Sequence, residues 1–278
     1  MLMNQLCSLA ELNDNLVPFT ARRITSSLIW CAENVRNTEV LLKACSYIID
    51  PVSSASAKTF HAERYGGSGI QRNGGGARCG FDGNYQVKGM GANPLVGVGT
   101  DGRHSNGALG AIHAIYEALW GEVLAQILPY SAVRVQAVLL TNLYTDKAFD
   151  RSHGKSRRAL LVRDPVVRPA HFERAPYFRA KPEYAGQLMH DARRVRSVIR
   201  MLPGNLPVPS EGFSGEARRN PRVHCIEGLC ELARREAWQM AFCRTRFLRL
   251  TTSPSNITMD GKLMDYNGIS CFYRTSVL

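Results

Sequence analysis

Glycine is so dense between residues 65 and 80 that this segment constrains the fold more than any other. It reads YGGSGIQRNGGGARCG, and regular helix is improbable there because glycine loses more conformational freedom on folding than any other residue. Backbone N–H groups of glycine can approach a ligand closely, as they do in phosphate-binding loops. Gly76 is therefore a candidate phosphate contact and Arg78 a candidate charged one, although glycine-rich loops also serve only as connections.

A short strand is predicted directly after the glycine-rich segment. The stretch NYQVKG alternates, with Gln86 and Lys88 on one face and Val87 on the other, so Lys88 is expected at a strand end. A lone lysine in such a place is most often a solvated residue. Paired with a glutamate from a helix, it could be held as a cation beside phosphate groups.

The strongest helix pattern in the chain runs from about residue 107 to 128. Ser105 or Asn106 would cap it, and Pro129 would end it. The apolar stripe predicted to face the core consists of Leu109, Ile112, Leu119, Val123 and Ile127. Strands are expected next at 133–142 and 158–164, and this order of loop, strand, helix and strands is typical of the N-lobe of protein kinases.

The two ends of the chain carry weaker patterns. Helical spacing of Leu28, Ile29, Val35, Leu41 and Leu42 predicts a helical N-terminal segment. Further on, a helix is expected around 182–201 and a core helix over about 222–244. The residues predicted to face the core in the latter are Ile226, Leu229, Ala233, Ala237 and Met240.

Composition narrows the class of protein. No run of eighteen apolar residues is present, and the N-terminus lacks a signal-peptide pattern, so we expect a cytoplasmic protein without a membrane span. The net charge of +12 would attract polyanions of any kind. The basic tracts at 151–158, 192–200 and 217–222, however, lack the interleaved aromatic residues on which nucleic-acid bases stack. A solvated basic face is favoured over nucleic-acid binding. The eight cysteines form no CxxC pair, which favours reduced thiols over a zinc site.

Three stretches resemble motifs of the selenoprotein O pseudokinases. The first, YQVKGMGANPLVGVGTDGR, is similar to the family's KGxGxTPY lysine motif followed by DGR, and the helix YEALWGEVL is similar to its RE-x-L-x-x-E helix. The resemblance implies that Lys88 contacts the nucleotide phosphates and that Glu117 is its ion-pair partner. Asp101 and Gly102 fall in the DGR motif, and Glu122 aligns with the second glutamate.

The second stretch, ALLVRDPVVRPAHFE, resembles the family's LLRVAPSxIRFGxFE. It implies that Arg163 and Arg168 grip the phosphates. In this family the nucleotide lies flipped relative to ordinary kinases, so that the α-phosphate faces the acceptor. The implied reaction is therefore transfer of AMP.

The third stretch, SPSNITMDGKLMDYNG, resembles TDNMSILGLTIDYGPFG and places Asn256 and Asp265 nine residues apart, as the family spaces its two metal-holding residues. Such oxygen ligands suit Mg²⁺, or Mn²⁺, bound to phosphates. The family's aspartate before the asparagine, its general base, is replaced by Ser255. Either catalysis rests on positioning and charge neutralisation, or another acid such as Asp260 substitutes, or the chain is catalytically weak.

The resemblance implies a fold and a function. The expected fold is α/β (α+β), protein-kinase-like and two-lobed, with a helical N-terminal extension (1–60), an N-lobe (61–173) and a truncated helical C-lobe with the metal-binding loop (174–278). The expected function is ATP-dependent transfer of AMP to Ser, Thr or Tyr hydroxyls of a protein or peptide. The alternatives are an inactive nucleotide-binding pseudokinase, a conventional kinase or a basic nucleic-acid-binding protein.

Overall fold

A computed structural model describes residues 8–66, 72–145, 156–250 and 252–271 as a mixed α/β fold around one large sheet. The strands of this sheet are β1 (Leu16–Arg23), β2 (Ser26–Cys31), β3 (Tyr47–Ile48), β4 (Ala57–Glu63), β5 (Cys79–Phe81), β6 (Gln86–Lys88), β7 (Val135–Tyr144) and β8 (Arg157–Arg163). Their spatial order is β2-β7-β8-β6-β5-β4-β1-β3, and all neighbours pair antiparallel. The expected α/β class is confirmed at this level. A second sheet of two strands joins β9 (Leu248–Arg249) to β10 (Ser270–Cys271).

The helices lie mainly in the second half of the chain. They are α1 (Thr38–Cys45), α2 (Gly102–Ser105), α3 (Ala111–Ile127), α4 (Ala185–Leu188), α5 (Asp191–Val198), α6 (Leu202–Asn205) and α7 (Pro221–Arg244). Short 3₁₀ turns stand at Leu9–Glu11, Asn13–Asn15, Pro169–Phe172, Pro182–Tyr184, Ile199–Met201 and Tyr266–Gly268. Within the described residues, none of the helices is both long and apolar enough to cross a membrane.

Strands β7 and β8 are apolar on both faces because both faces of the sheet are covered there. Leu139 and Leu160 pair in register and belong to the core shared with α1. On the opposite face, Val138 and Leu161 pack against Ala114 and Ala118 of α3. Helix α3 is thereby fixed across β7 and β8, next to β6.

The N-terminal segment differs from the predicted helical extension. Residues 16–31 form β1 and β2, and the only α-helix in the described part of residues 1–60 is α1. Leu28 pairs with Leu139 of β7, and in β1 Val17, Phe19 and Ala21 are buried alternately. The spacing that predicted a helix therefore combined residues of two separate elements, β2 and α1.

The bounds of α3 and α7 agree with the predicted helices, but their buried faces do not. Gly110, rather than Ser105 or Asn106, caps α3. The residues that α3 buries are Ala114, Glu117, Ala118, Gly121 and Leu124, and those of α7 are Gly228, Glu231, Leu232, Gln239 and Cys243. Of the predicted core stripes, Ile112, Leu119, Val123, Ile127, Ile226, Leu229, Ala233 and Ala237 are exposed.

The helix expected around 182–201 is broken. Residues 182–201 hold two 3₁₀ turns, α4 and α5, and His190 between the two helices has a left-handed backbone with φ 65°. Such a residue cannot continue a right-handed helix. The predicted helix is therefore two short ones.

A hairpin over residues 256–264 contains most of the third stretch of the resemblance. Met264 N donates to Asn256 O (2.9 Å), and Ile257 pairs with Leu263. Gly261, with φ 89°, forms the turn. Asn256 and Asp265 consequently lie at the same end of the hairpin.

Candidate functional site

Lys88 lies at the centre of a cluster of charged side chains drawn from distant parts of the chain. Its side chain is 1% exposed, and Nζ lies 2.6 Å from Glu117 Oε2 and 2.9 Å from Asp265 Oδ1. Strand β6 places the lysine, α3 the glutamate and the end of the hairpin the aspartate. The ammonium is thus held between two carboxylates.

Glu117 is shared by three donors. Besides Lys88, Arg163 Nη1 lies 3.4 Å from Oε1 and Asn267 Nδ2 donates to Oε2 at 2.9 Å. Arg163 also donates through Nε to Gln86 Oε1. Donors from two neighbouring strands and from the 3₁₀ turn Tyr266–Gly268 therefore converge on this buried carboxylate.

Asp265 is the most accessible carboxylate of the cluster. A third of its side chain (33%) is exposed, and its backbone adopts the left-handed region with φ 62°, uncommon for a residue other than glycine. Burial by itself raises the pKa of the Asp265 carboxyl, but Lys88, Arg78 and Arg163 outweigh it and hold the pKa well below its usual range. Asp265 is therefore ionised at neutral pH.

Arg168 belongs to an adjoining network. Nη1 donates to Ser255 O (3.0 Å) and Tyr65 OH (3.3 Å), and Nη2 lies 3.4 Å from Glu63 Oε2. Gln86 donates to Glu63 and so connects this network to Arg163. Burial raises the pKa of Tyr65 to about 12, so its hydroxyl stays a neutral dipole.

His171 is a buried member of this network and contacts both Arg168 and Glu63. Its Nδ1 accepts a hydrogen bond from Arg168 N (3.0 Å), which places the ring proton on Nε2, 3.4 Å from Glu63 Oε2. Burial lowers the pKa of the imidazole, although the Glu63 carboxylate opposes this. The pKa of Glu63 is lowered because Arg168 and His171 outweigh the effect of burial.

The cluster has a buried floor and a more open rim. The floor holds the side chains of Lys88, Glu117, Arg163, Arg168, Glu63 and Gln86, whereas Arg78, Ser255, Asn256 and Asp265 are half-buried. Arg78, Lys88, Arg163 and Arg168 supply four cations against the three carboxylates of Glu63, Glu117 and Asp265. Among the described residues, the buried Arg168 Nε has no hydrogen-bond partner. The arrangement suits an anionic ligand entering at the rim.

A divalent cation bound to phosphates would fit at the rim. Asp265 offers a carboxylate and Asn256, at the same end of the hairpin, an amide oxygen. In the described part of the chain, no group of three or more His, Cys, Asp and Glu side chains is arranged to hold a metal. Mg²⁺ on a nucleotide needs only one or two protein oxygens, because phosphates and water complete its six ligands.

Four predicted positions lie differently from expectation. The N–H of Gly76 donates to Glu63 O (2.9 Å), so it is already used within the fold. Asp101 and Gly102 are exposed at the start of α2, unlike the buried cluster. Glu122 pairs with Arg134 in a partly exposed ion pair. Residues 67–71 of the glycine-rich segment lie outside the described residues.

Asp260 does not stand where the family's acid would. It accepts a hydrogen bond from Thr258 and pairs with Lys262 (2.8 Å) at the hairpin turn. There it lines a cavity of about 520 Å³ whose lining includes Gln136 and Asp164 but none of the predicted site residues. A role as substitute base in the Lys88 cluster is therefore not supported.

Sequence reasoning missed Glu63, Gln86 and His171 as members of the site. Gln86 could have been found, because it shares the Lys88 face of the predicted strand, and His171 stands within the stretch RPAHFE that resembles the family. Glu63 gave no signal, since a carboxylate at the end of a strand is most often solvated. No protein-family model matches the chain, and no curated protein matches its sequence.

Proposed function

We propose that this chain is an ATP-dependent protein adenylyltransferase of the selenoprotein O type, with a kinase-like two-lobed fold. The observation that carries the proposal is the position of Lys88 Nζ between Glu117 and Asp265 (2.6 and 2.9 Å). Lys88 and Glu117 belong to the first stretch of the resemblance and Asp265 to the third. Asp265, with a third of its side chain exposed, leaves the cluster accessible to a ligand.

The cationic side chains would bind the phosphates of ATP. Glu117 forms ion pairs with Lys88 and Arg163, and Arg168 contacts Glu63 and Ser255 O. These contacts position the three cations before a ligand binds. Preorganised charge in a site shielded from water stabilises developing negative charge without reorganisation. Asn256 and Asp265 would hold Mg²⁺, which when bound would neutralise phosphate charge.

The proposed reaction is a displacement at the α-phosphorus. The acceptor hydroxyl oxygen forms a bond to this phosphorus, the bond to the oxygen bridging to the β-phosphate breaks, and pyrophosphate leaves with that electron pair. The hydroxyl proton passes to water, because Ser255 is not a base at neutral pH. Positioning and charge neutralisation can supply most of the catalysis in phosphoryl-type transfers.

The test compares ATP labelled at the α and γ positions. The full chain is incubated with Mg²⁺ and a mixture of protein acceptors, and label is expected on protein from α-labelled ATP only. Lys88→Met should abolish the transfer, whereas Lys43→Met, a change of an exposed lysine, should not. Transfer from the γ position alone would instead identify a conventional kinase.

A second candidate is a protein that binds nucleotide without turnover. Ser255 favours it, because a serine stands where the family has its acid, its hydroxyl hydrogen-bonds to Ser253 (2.8 Å), and its carbonyl accepts from Arg168. A thermal shift with Mg·ATP but no label transfer would support this candidate.

Restoring the acid separates the two candidates. Ser255→Asp should raise label transfer about 100-fold if only the general base is missing. Ser255→Asn is the matched control of equal size without a carboxylate. If neither variant transfers label although both bind Mg·ATP, the binding protein is the better description.

A further inference from the structure

Helix α3 exposes an apolar stripe on the side opposite to Glu117. We call Ile112, Ile115, Tyr116, Leu119, Val123 and Ile127 the α3 stripe, and these side chains are between 37% and 61% exposed. Gln126 is the one other exposed residue of the helix. Chains that stay monomeric rarely present so continuous an apolar surface, which usually marks an interface.

The spacing of the α3 stripe is that of a packing surface. Its residues recur at intervals of three and four, so they form one row along a helix of 17 residues, about 25 Å long. The Glu122–Arg134 ion pair lies beside this row, with the Arg134 side chain 42% exposed. An apolar row edged by a polar pair is the usual anatomy of a protein interface.

Charge argues for a second copy of this chain as the partner. The same surface patch of both copies meets in a two-fold dimer, so a charge close to the two-fold axis lies near the same charge of the other copy. The chain carries 35 Lys and Arg and a net charge of +12, yet residues 104–133 contain neither Lys nor Arg, and Arg134 beside the stripe is paired with Glu122. Two copies can therefore approach through α3 without bringing their basic groups together.

Helix α7 also exposes apolar residues, but their surroundings differ from those of the α3 stripe in charge. Ile226, Leu229 and Trp238 are exposed there too, but the exposed Arg222 and Arg234 stand among them. A two-fold contact through α7 would bring these arginines of two copies close together. Beside the α3 stripe the corresponding cation, Arg134, is paired with Glu122, which offsets its charge.

We propose that the α3 stripe is the interface of a two-fold homodimer. The inference is independent of the proposed function, because it concerns the outer face of α3. A single helix row is a small interface, so the affinity should be moderate, with dissociation in the range of about 1 to 100 µM.

Sedimentation equilibrium of the full chain tests this over the same concentrations. The wild-type protein should reach twice its chain mass of 30.8 kDa. Leu119→Glu should weaken the dimer about 100-fold or more, because the two-fold axis places the change in both copies. Val52→Glu, the same kind of change at an exposed residue outside the stripe, should leave the dimer intact.

The alternatives give different results. A wild-type chain that stays monomeric over the whole range overturns the proposal, and so does a dimer that Leu119→Glu does not weaken. If Leu119→Glu does not fold, Leu119→Ser gives the same comparison. Raising NaCl from about 0.1 to about 1 M should not dissociate an apolar interface, so dissociation by salt also counts against it.

Discussion

Two clusters of buried charge lie within the fold, around Arg194 and around Lys88, and they differ in the partners of their cations. Arg194 donates to the carbonyls of His171 (2.9 Å) and Glu173 (2.5 Å), to Asn15 Oδ1 (3.0 Å) and to Asp191 Oδ1 (2.8 Å). The two backbone carbonyls among these acceptors fix the path of the chain at His171 and Glu173. The Arg194 cluster therefore joins the N-terminal turns and α5 to the segment that follows β8.

The cations of the Lys88 cluster have mainly side-chain partners, and Ser255 O, which accepts from Arg168, is the backbone acceptor among those described above. The two partners described for Lys88 are the carboxylates of Glu117 and Asp265, and Asp265 is partly open to solvent. Side chains can exchange partners when a ligand arrives, whereas backbone carbonyls cannot move without unfolding their segment. In this fold the kind of partner, more than burial, therefore separates a structural ion cluster from a candidate binding site.

The largest effect is expected at Arg194. Arg194→Met should lower the free energy of unfolding by about 3–5 kcal/mol, because Asp191 loses a partner and several buried acceptors are left unpaired. Urea denaturation measures this change. Arg193→Met, at the exposed neighbour, should stay within about 0.5 kcal/mol. A loss below about 1 kcal/mol for Arg194→Met would contradict the structural assignment of this cluster.

A smaller effect on stability and a specific effect on binding are expected at Lys88. Lys88→Met should destabilise by about 1–3 kcal/mol, because Glu117 keeps Arg163 and Asn267 as partners. Affinity for Mg·ATP should fall about 10- to 100-fold, the cost of one charge-assisted contact. Calorimetric titration measures the affinity, with Lys43→Met as control. Unchanged affinity would mean that nucleotide, if bound, lies elsewhere.

Much of the site's composition could be predicted from short motifs. The structure brings Lys88, Glu117, Arg163 and Asp265 together, and the resemblance had named each of them. Periodicity also gave the bounds of α3 and α7 to within a few residues. These features are local, since motif and helix are each encoded in one continuous stretch.

The buried faces of the helices could not be predicted, for a physical reason. Glu117 of α3 and Gln239 of α7 are buried because distant groups satisfy them, Lys88 for Glu117 and Ser131 O for Gln239. Glu231 of α7 is buried as well, and it pairs with Arg234 and Arg235 of its own helix. Apolar periodicity assumes that the apolar face turns inward. That assumption fails where a buried polar pair sets the orientation of the helix and leaves its apolar residues for another surface.

The smallest effect is expected at His171, which joins the two clusters. Its carbonyl accepts from Arg194, and its ring contacts Arg168 N and Glu63. Burial lowers the pKa of the ring below its unfolded value of about 6.5. The unfolded chain therefore binds more protons in this range, so the contribution of His171 to stability is present above pH ~6.5 and is lost as the pH falls towards the lowered pKa.

The measurement is the difference in free energy of unfolding between pH 7.5 and 5.5, in wild-type protein and in His171→Asn. We expect this difference to be smaller in the variant by about 1 kcal/mol, since one proton contributes at most about 1.4 kcal/mol per pH unit. Asn can still accept from Arg168 N but does not titrate. His190→Asn changes an exposed histidine whose left-handed backbone asparagine tolerates, so it should leave the difference unchanged. An equal pH dependence in all three proteins would show that the His171 ring is free to take up a proton in the folded state, and the link between the clusters would then be looser than its contacts indicate.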